Sequence, residues 1–486
     1  MKRKSKIIAI FLAAVFSMAA VLCSCGDAKA KNGEDAEKNT AGSETKAAAL
    51  DNLPERNFGG YGFRLFLPEG RGKSIYVEED TGEIVDDAVY RRNAIIEERF
   101  DIKISPVYYD NDWSTRMEGS KSILAGDDAF DLMWFHGRIA FEYANDGYVV
   151  DWLKDMPYVE LSQPWWNQDV IEECSFFGQL RYVSGDIGYG ELASTLCIYF
   201  NKNLFQALNI EYPYGDVVAG TWTLDKLISI SRAGAADLNG DGTISPDADR
   251  YGFDMGNIYL YPTAILYCGG DKVIKKGPGD EPILSVYNEQ TIDIYEKLWG
   301  MLKTRDGTAA VRGSSTWGNP GGIDIFNAGR ALFGAGGIGH IIAYRTMEEE
   351  IGILPAPKYE ESNPKYCSLV EAHGGLYTVP TTAGDLERTS IIAEALCAEG
   401  SRSIIPVYYE KALKTKYSRD EESAEMLDYV KNSAVYDYGY LNYTLSGALG
   451  VPADQFQENG DPNFTSLYEQ NVAKVQSGID KLIAER

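Results

Sequence analysis

Between Tyr61 and Phe135 the spacing of apolar residues switches from the period of a strand to that of a helix and back. Phe63, Leu65 and Leu67 alternate with other residues, as in a strand. Val85, Ala88, Val89, Ile95, Ile96 and Phe100 then recur at helical spacing, and Ile102 and Ile104 alternate again. Strand, helix, strand is a βαβ unit, whose crossover is right-handed. A second helix is predicted over Trp113–Leu124, and Gly126–Asp131 turns into a short buried strand, Leu132–Phe135. The alternation continues downstream. Leu180–Val183, Leu196–Phe200, Ala331–Phe333 and Ile351–Leu354 read as strands, the last stopped by Pro355-Ala-Pro357. Thr223 reads as the N-cap of a helix over Leu224–Arg232, and from Thr389 on the patterning is mostly helical. There is no internal repeat and no break between separately encoded domains. Roughly 435 residues follow the N-terminal region, more than one core usually holds. The expectation is an α/β chain folded into two lobes that share several chain crossings.

The N-terminus carries a different signal. Lys2, Arg3, Lys4 and Lys6 precede a nearly unbroken apolar run, Ile7–Leu22, which is short for a membrane span. Leu22-Cys23-Ser24-Cys25-Gly26 resembles the bacterial lipobox, which implies cleavage after residue 24 and acylation of Cys25. Two or three acyl chains anchor stably, at about 0.8 kcal/mol per buried methylene. The alternative is a plain secretory signal cut near Cys25. Residues 25–56 begin with a Lys, Glu, Asn, Ala, Gly and Ser stretch too poor in apolar bulk to offset its ordering entropy, and read as a tether.

The formal net charge of −26 includes four leader cations, so the mature chain is more acidic still and nucleic acid is a poor partner. Beyond Cys25 there are five scattered cysteines, Cys174, Cys197, Cys268, Cys367 and Cys397, with no CxxC pair. Their apolar neighbours predict buried free thiols. The three histidines are far apart in sequence and offer little for a His-based metal site.

A series of landmarks, in order from Phe63 to Ser446, resembles the family 1 extracellular solute-binding proteins, which include the maltodextrin-binding proteins. Phe100-Asp-Ile-Lys-Ile104 is similar to the end of that family's first helix and following strand, without its Gly, and Asp131-Leu-Met-Trp-Phe-His136 to its "P-D-[IV]-[IV]-x-W" strand. Tyr143-Ala-Asn-Asp-Gly-Tyr-Val-Val-Asp151 is similar to "Y-A-x-x-G-x-L-x-[DE]", and Gly178-Gln-Leu-Arg-Tyr182 to the "N-G-K-L-Y" hairpin. Ile198-Tyr-Phe-Asn-Lys-Asn-Leu204, Thr221-Trp-Thr-Leu224, Phe326-Asn-Ala-Gly-Arg-Ala-Leu-Phe333 and Ile351-Gly-Ile-Leu-Pro355 complete the series. The resemblance implies a two-lobe periplasmic-binding-protein fold of the class II type, with a ligand cleft and about three hinge crossings. Carried over, residues 57–189 and 375–405 form the first lobe, and 190–374 and 406–486 the second. Only the closed form touches a ligand from both sides, so binding favours closure.

Sugars offer C–H faces for aromatic packing and hydroxyls that need paired donors and acceptors. Trp134, His136 and Arg138 follow a buried strand, where a loop opens to the cleft. In maltodextrin-binding proteins a Trp and an Arg at this spacing meet the sugar with an acid between them; here Gly137 replaces the acid. Asp186, Tyr189 and Glu191 lie in a Gly-rich segment at the expected first hinge. Tyr259 and Tyr261 share one face if extended. Ile338 stands where the family has a Trp, with His340 beside it, and His373 lies near another crossing. Tyr436 and Tyr438 resemble the family's C-terminal aromatic wall. Each also has a plainer reading, as core or as loop.

Asp237-Leu-Asn-Gly-Asp-Gly-Thr-Ile-Ser-Pro-Asp-Ala-Asp249 is close to an EF-hand loop. Asp237, Asn239, Asp241 and Thr243 take the first four ligand positions, but the twelfth is Ala248, flanked by Asp247 and Asp249. Structural calcium is the expectation, an Asp/Asn/Gly turn the alternative. No other cofactor is expected.

The function implied is that of a lipid-anchored, monomeric substrate-binding protein on the outer face of the cytoplasmic membrane. It would bind a sugar and pass it to the permease subunits of an ABC importer, without catalysis of its own. The rivals are the same fold with a peptide or other small solute, a secreted glycoside hydrolase using two of the many carboxylates, and a surface adhesion lipoprotein.

Overall fold

The computed structural model describes residues 50–484 apart from 258–260, 314–318, 320, 345, 418–420, 453–454 and 456–462. Cys25, the leader and most of the tether lie outside the described residues, as does Tyr259.

Thirteen strands are described: β1 (Tyr61–Pro68), β2 (Ile102–Tyr109), β3 (Leu132–Phe135), β4 (Leu196–Asn201), β5 (Tyr251–Asn257), β6 (Ile274–Lys276), β7 (Pro282–Leu284), β8 (Ala309–Arg312), β9 (Ala331–Gly337), β10 (Ile351–Leu354), β11 (Ser368–Leu369), β12 (Leu376–Thr378) and β13 (Ala434–Val435). The first sheet has the order β12-β3-β1-β2, and the second β10-β4-β9-β5-β8. β1 runs parallel to β2 and β3, as the βαβ reading requires, and β12 returns antiparallel to β3. In the second sheet β5 is parallel to β8 and β9, while β4 is antiparallel to β9 and β10. β11 and β13 form a separate parallel pair, and β6 and β7 a hairpin.

Strand parity divides the first sheet between two apolar layers. Phe63, Leu65, Leu67, Leu132 and Trp134 point to one side, beneath the helices Ile84–Phe100 and Leu386–Ser403. Phe66, Met133 and Phe135 point to the other, into a cluster that continues through both faces of the second sheet. The first helix carries Asp86 and Asp87 in its first turn, where they oppose the helix dipole, and stops at Asp101 in a left-handed conformation. The helix Leu224–Gly234 begins as expected: Thr223 accepts from the Lys226 N–H at 3.4 Å.

Two segments differ from their sequence pattern. Leu180–Val183 forms no extended ladder; Val183 makes a single bridge to Tyr377 on the free edge of β12, which is only three residues long. β5 was hidden by its two glycines, Gly252 and Gly256, yet it sits inside the second sheet. Gly252 is required there, since a Cβ would lie 2.0 Å from the Ser231 carbonyl oxygen.

The segments joining the two sheets are tied to each other. Thr195 bridges Val370, and the Glu371 N–H donates to the Ser194 carbonyl. The five cysteines are buried and unpaired. No described helix is long and apolar enough to cross a membrane.

Candidate ligand cleft

β5, β8 and β9 all end on the same edge of the second sheet, the position where open α/β sheets hold ligands. A cavity of about 300 Å³ lies there, with Asn257, Tyr261, Arg312 and His340 in its wall. Tyr261 is 1% exposed and its ring sits edge-on to Phe253 at 5.5 Å; its buried hydroxyl has no hydrogen-bond partner. Arg312 is held by Asp324 at 3.0 Å and lies 3.5 Å from the buried Asp254. Asp254 in turn accepts the N–H groups of Gly256 and Ile325. The His340 Nδ1 accepts from the Gly337 N–H at 3.0 Å, which fixes the proton on Nε2, and burial pushes its pKa down.

On the first-sheet side, His136 follows β3 and caps the helix Gly137–Asn145, its Nδ1 accepting from the Arg138 N–H at 3.3 Å. Its ring meets that of His373 edge-on, with centroids 4.5 Å apart. The His373 Nδ1 and N–H both reach Glu371 Oε2, at 2.5 and 2.9 Å, and the Tyr440 hydroxyl donates to Glu371 Oε1 at 3.4 Å. Burial, then repulsion by His373, pushes His136 down to about 3, so its imidazole is neutral at physiological pH. Burial alone would raise the Glu371 carboxyl, but the His373 hydrogen bond and the nearby imidazoles outweigh it and leave the group ionised. The Arg138 guanidinium lies over the Tyr440 and Tyr443 rings at 5.0 and 5.3 Å, and its Nε is buried without a partner.

A second, larger cavity of about 520 Å³ lies against the crossing segments, with Trp165, Asp186, Glu191, Tyr409 and Lys431 in its wall. Burial raises Asp186 to about 7. Glu191, also raised by burial, accepts from Asn167 Nδ2 and Ser184 Oγ, both at 2.6 Å. Tyr436 donates to Ser184 Oγ at 3.2 Å in the same network, and Tyr189 stacks on Tyr408 at 4.3 Å. Tyr438 packs against Phe141 and Phe176, away from the 300 Å³ cavity.

Of the sequence candidates, the structure therefore brings together Tyr261 with His340, His136 with Arg138 and His373, and Asp186 with Glu191 and Tyr436. Two candidates are corrected to core. Trp134 shares the parity of Leu132, so its indole lies 3% exposed under the helical layer, over Gly190 and Gly375. Ile338 is fully buried, with its carbonyl accepting from the Tyr199 hydroxyl. Asn257, Arg312, Glu371 and Tyr440 were missed as candidates. Asn257 and Arg312 are the last residues of β5 and β8, strands that the sequence pattern does not reveal, whereas Glu371 lies two residues before His373.

In the Asp237 loop, Asp237 accepts the N–H groups of Gly240 and Gly242, and Asp241 that of Thr243. Asn239 lies between them, its Oδ1 accepting from the Asp241 N–H and its Nδ2 donating to Asp241. Asp249 is buried and accepts from Leu238 and Ser245, which lowers its pKa; Asp247 lies beyond this ring of bonds.

Comparisons with sequence-family models and with curated protein sequences give no match. Solved structures do match. The ABC substrate-binding protein Lmo0181 of Listeria monocytogenes, in complex with cycloalternan, is 12% identical with a TM-score of 0.54, over 87% of this chain and 99% of that one. UgpB of Mycobacterium tuberculosis, in complex with glycerophosphocholine, is 15% identical with a TM-score of 0.55, over 87% and 99%. Maltose-bound MalE3 of T. maritima is 12% identical with a TM-score of 0.52, over 87% and 100%. The α/β architecture of this chain is thus the two-lobe fold of the substrate-binding proteins of ABC importers.

Proposed function

We propose that the protein is a substrate-binding lipoprotein that captures a carbohydrate between its lobes and presents it to a membrane permease. The observation that carries this reading is the 300 Å³ cavity at the strand ends of the second sheet. Its wall combines an aromatic ring, an amide, a guanidinium and an imidazole, together with the unpartnered Tyr261 hydroxyl. Sugars satisfy such walls, since they present apolar faces beside hydroxyls that both donate and accept. The first-sheet group of His136, Arg138, Glu371, His373 and Tyr440 supplies the opposing polar surface. The ligands named for Lmo0181 and MalE3, cycloalternan and maltose, belong to this class, while the glycerophosphocholine named for UgpB is a polar solute of another kind.

In this reading residues 57–189 and 375–405 form one lobe and the remainder of the ordered chain the other. Cys25 carries the lipid, the protein works as a monomer outside the cytoplasmic membrane, and it turns over nothing. The Asp237 loop takes calcium as a structural ion, supported by the EF-hand spacing of Asp237, Asn239 and Asp241.

Thermal-shift and calorimetric titration against mono- and oligosaccharides, peptides and polyamines test the assignment. Ligand at 100 times its Kd adds about 2.7 kcal/mol of stability. A saturable shift with sugars, and none with the other classes, is the expected result. A shift with peptides or polyamines alone would overturn the carbohydrate class, and release of product from an oligosaccharide would overturn the non-enzymatic one.

A further inference from the structure

The sequence scatters its histidines at positions 136, 340 and 373, yet two of them meet around one carboxylate. His136, Glu371 and His373 each offer a ligand atom, and these atoms lie within 4.8 Å of one another; among the described residues no other group of three His, Cys, Asp or Glu side chains does so. From this juxtaposition we propose that His136, Glu371 and His373 form a binding site for a divalent transition metal, Zn²⁺ in the first instance, with an open coordination position facing the cleft.

Two imidazoles and one carboxylate form a recurrent zinc donor set, with a fourth position left for water or another ligand. Imidazole donors favour zinc, nickel or copper over calcium or magnesium, which take oxygen. The guanidinium of Arg138 stands beside the group but is directed over the Tyr440 and Tyr443 rings.

The ligands have the supports that metal sites use. Tyr440 orients the Glu371 carboxylate through Oε1, and the His373 N–H orients it through Oε2. Access is available, because the His373 side chain is 31% exposed while that of Glu371 is 10% exposed. Zinc bonds of about 2.0–2.2 Å at tetrahedral angles place two ligand atoms roughly 3.3 Å apart. The His373 and Glu371 atoms, now hydrogen-bonded at 2.5 Å, would therefore separate by less than 1 Å. Coordination through Nε2 of His136 puts its proton on Nδ1. That gives up only the 3.3 Å contact from the Arg138 N–H, which is longer than an ordinary hydrogen bond.

The test is metal content and zinc titration of the purified protein, prepared without a histidine tag, stripped with chelator and free of sugar. The expected result is one zinc per chain, lost in His136→Ala and in His373→Ala. Tyr440→Phe, which removes only an orienting bond, should weaken zinc binding by about tenfold. His373→Gln serves as a second variant if the alanine form does not fold, as judged by circular dichroism. Failure to take up zinc, or uptake unchanged by both histidine substitutions, would overturn the site. Because this readout contains no sugar, its failure leaves the carbohydrate reading standing, and a missing sugar response in the metal-free protein leaves the metal site standing.

Discussion

Replacing Tyr261 by phenylalanine should make the unliganded protein more stable and its ligand binding weaker, by similar amounts. The ring is 1% exposed and keeps its edge-on packing against Phe253, so Tyr261→Phe removes one oxygen and little else. That oxygen is buried without a partner in the wall of the 300 Å³ cavity. A hydroxyl in that state costs about 1–3 kcal/mol. A sugar hydroxyl that pairs with it returns the same free energy on binding. The variant should therefore gain about 1–3 kcal/mol in stability without ligand and lose about 5- to 150-fold in affinity. For a unit of this size the melting temperature moves by only roughly 1 °C per kcal/mol, so urea unfolding gives the better measure of stability. Calorimetric titration with the sugar found by screening gives the affinity. Unchanged affinity would remove this cavity from the ligand site, and a loss of stability would show that the hydroxyl is paired in the free protein.

Gly375 has φ +74°, and a Cβ there would lie 2.1 Å from the Trp134 ring, so Gly375→Ala should cost about 2–5 kcal/mol in urea unfolding; a cost below about 1 kcal/mol would show that the indole can move aside. Burial raises the Asp186 carboxyl to about 7 from an ordinary 3.8, so the folded state binds that proton more tightly than the unfolded state. The resulting stabilisation is complete below about pH 4 and is lost as the pH rises through 7. Asp186→Asn should accordingly stabilise the protein by a few kcal/mol at pH 8 and by little at pH 4; an equal effect at both would show that the carboxyl does not titrate in this range. Asp237→Ala removes the acceptor for the Gly240 and Gly242 N–H groups and should lower stability by about 1–2 kcal/mol without calcium. Calcium should raise the melting temperature of the wild type and not of this variant, and no rise in the wild type would end the calcium assignment.

The fold was legible where periodicity was uninterrupted. Phe63, Leu65 and Leu67 fixed a strand and its buried face, and Thr223 marked a helix start, because both signals are local. The same alternation held the information that Trp134 is core: it is two residues from Leu132 and shares its face, while Phe135 takes the opposite one. Strand parity, not position near a strand end, decides which layer the Trp134 indole enters. β5 was not legible, because glycines break its pattern and the need for Gly252 comes from the Ser231 carbonyl of a packed helix. With β5 and β8 unseen, Asn257 and Arg312 had no reason to stand out. The approach of His136 to His373 was likewise invisible, since it depends on how the segment after β3 meets the segment before β12.

That meeting explains why ionisable side chains gather at the crossings between the sheets. A chain that passes between two layers must satisfy its backbone there with few ladder partners available. Here the two crossing segments pair with each other through Thr195 and Val370, and through the Glu371 N–H and the Ser194 carbonyl. Each segment also carries one carboxylate held in a hydrogen-bond network, buried at Glu371 and half-buried at Glu191. Glu191 is held by Asn167 and Ser184 beside the larger cavity, and Glu371 by His373 and Tyr440. Glu191 is thereby tied to residues that precede its segment, and Glu371 to one beside it and one far downstream.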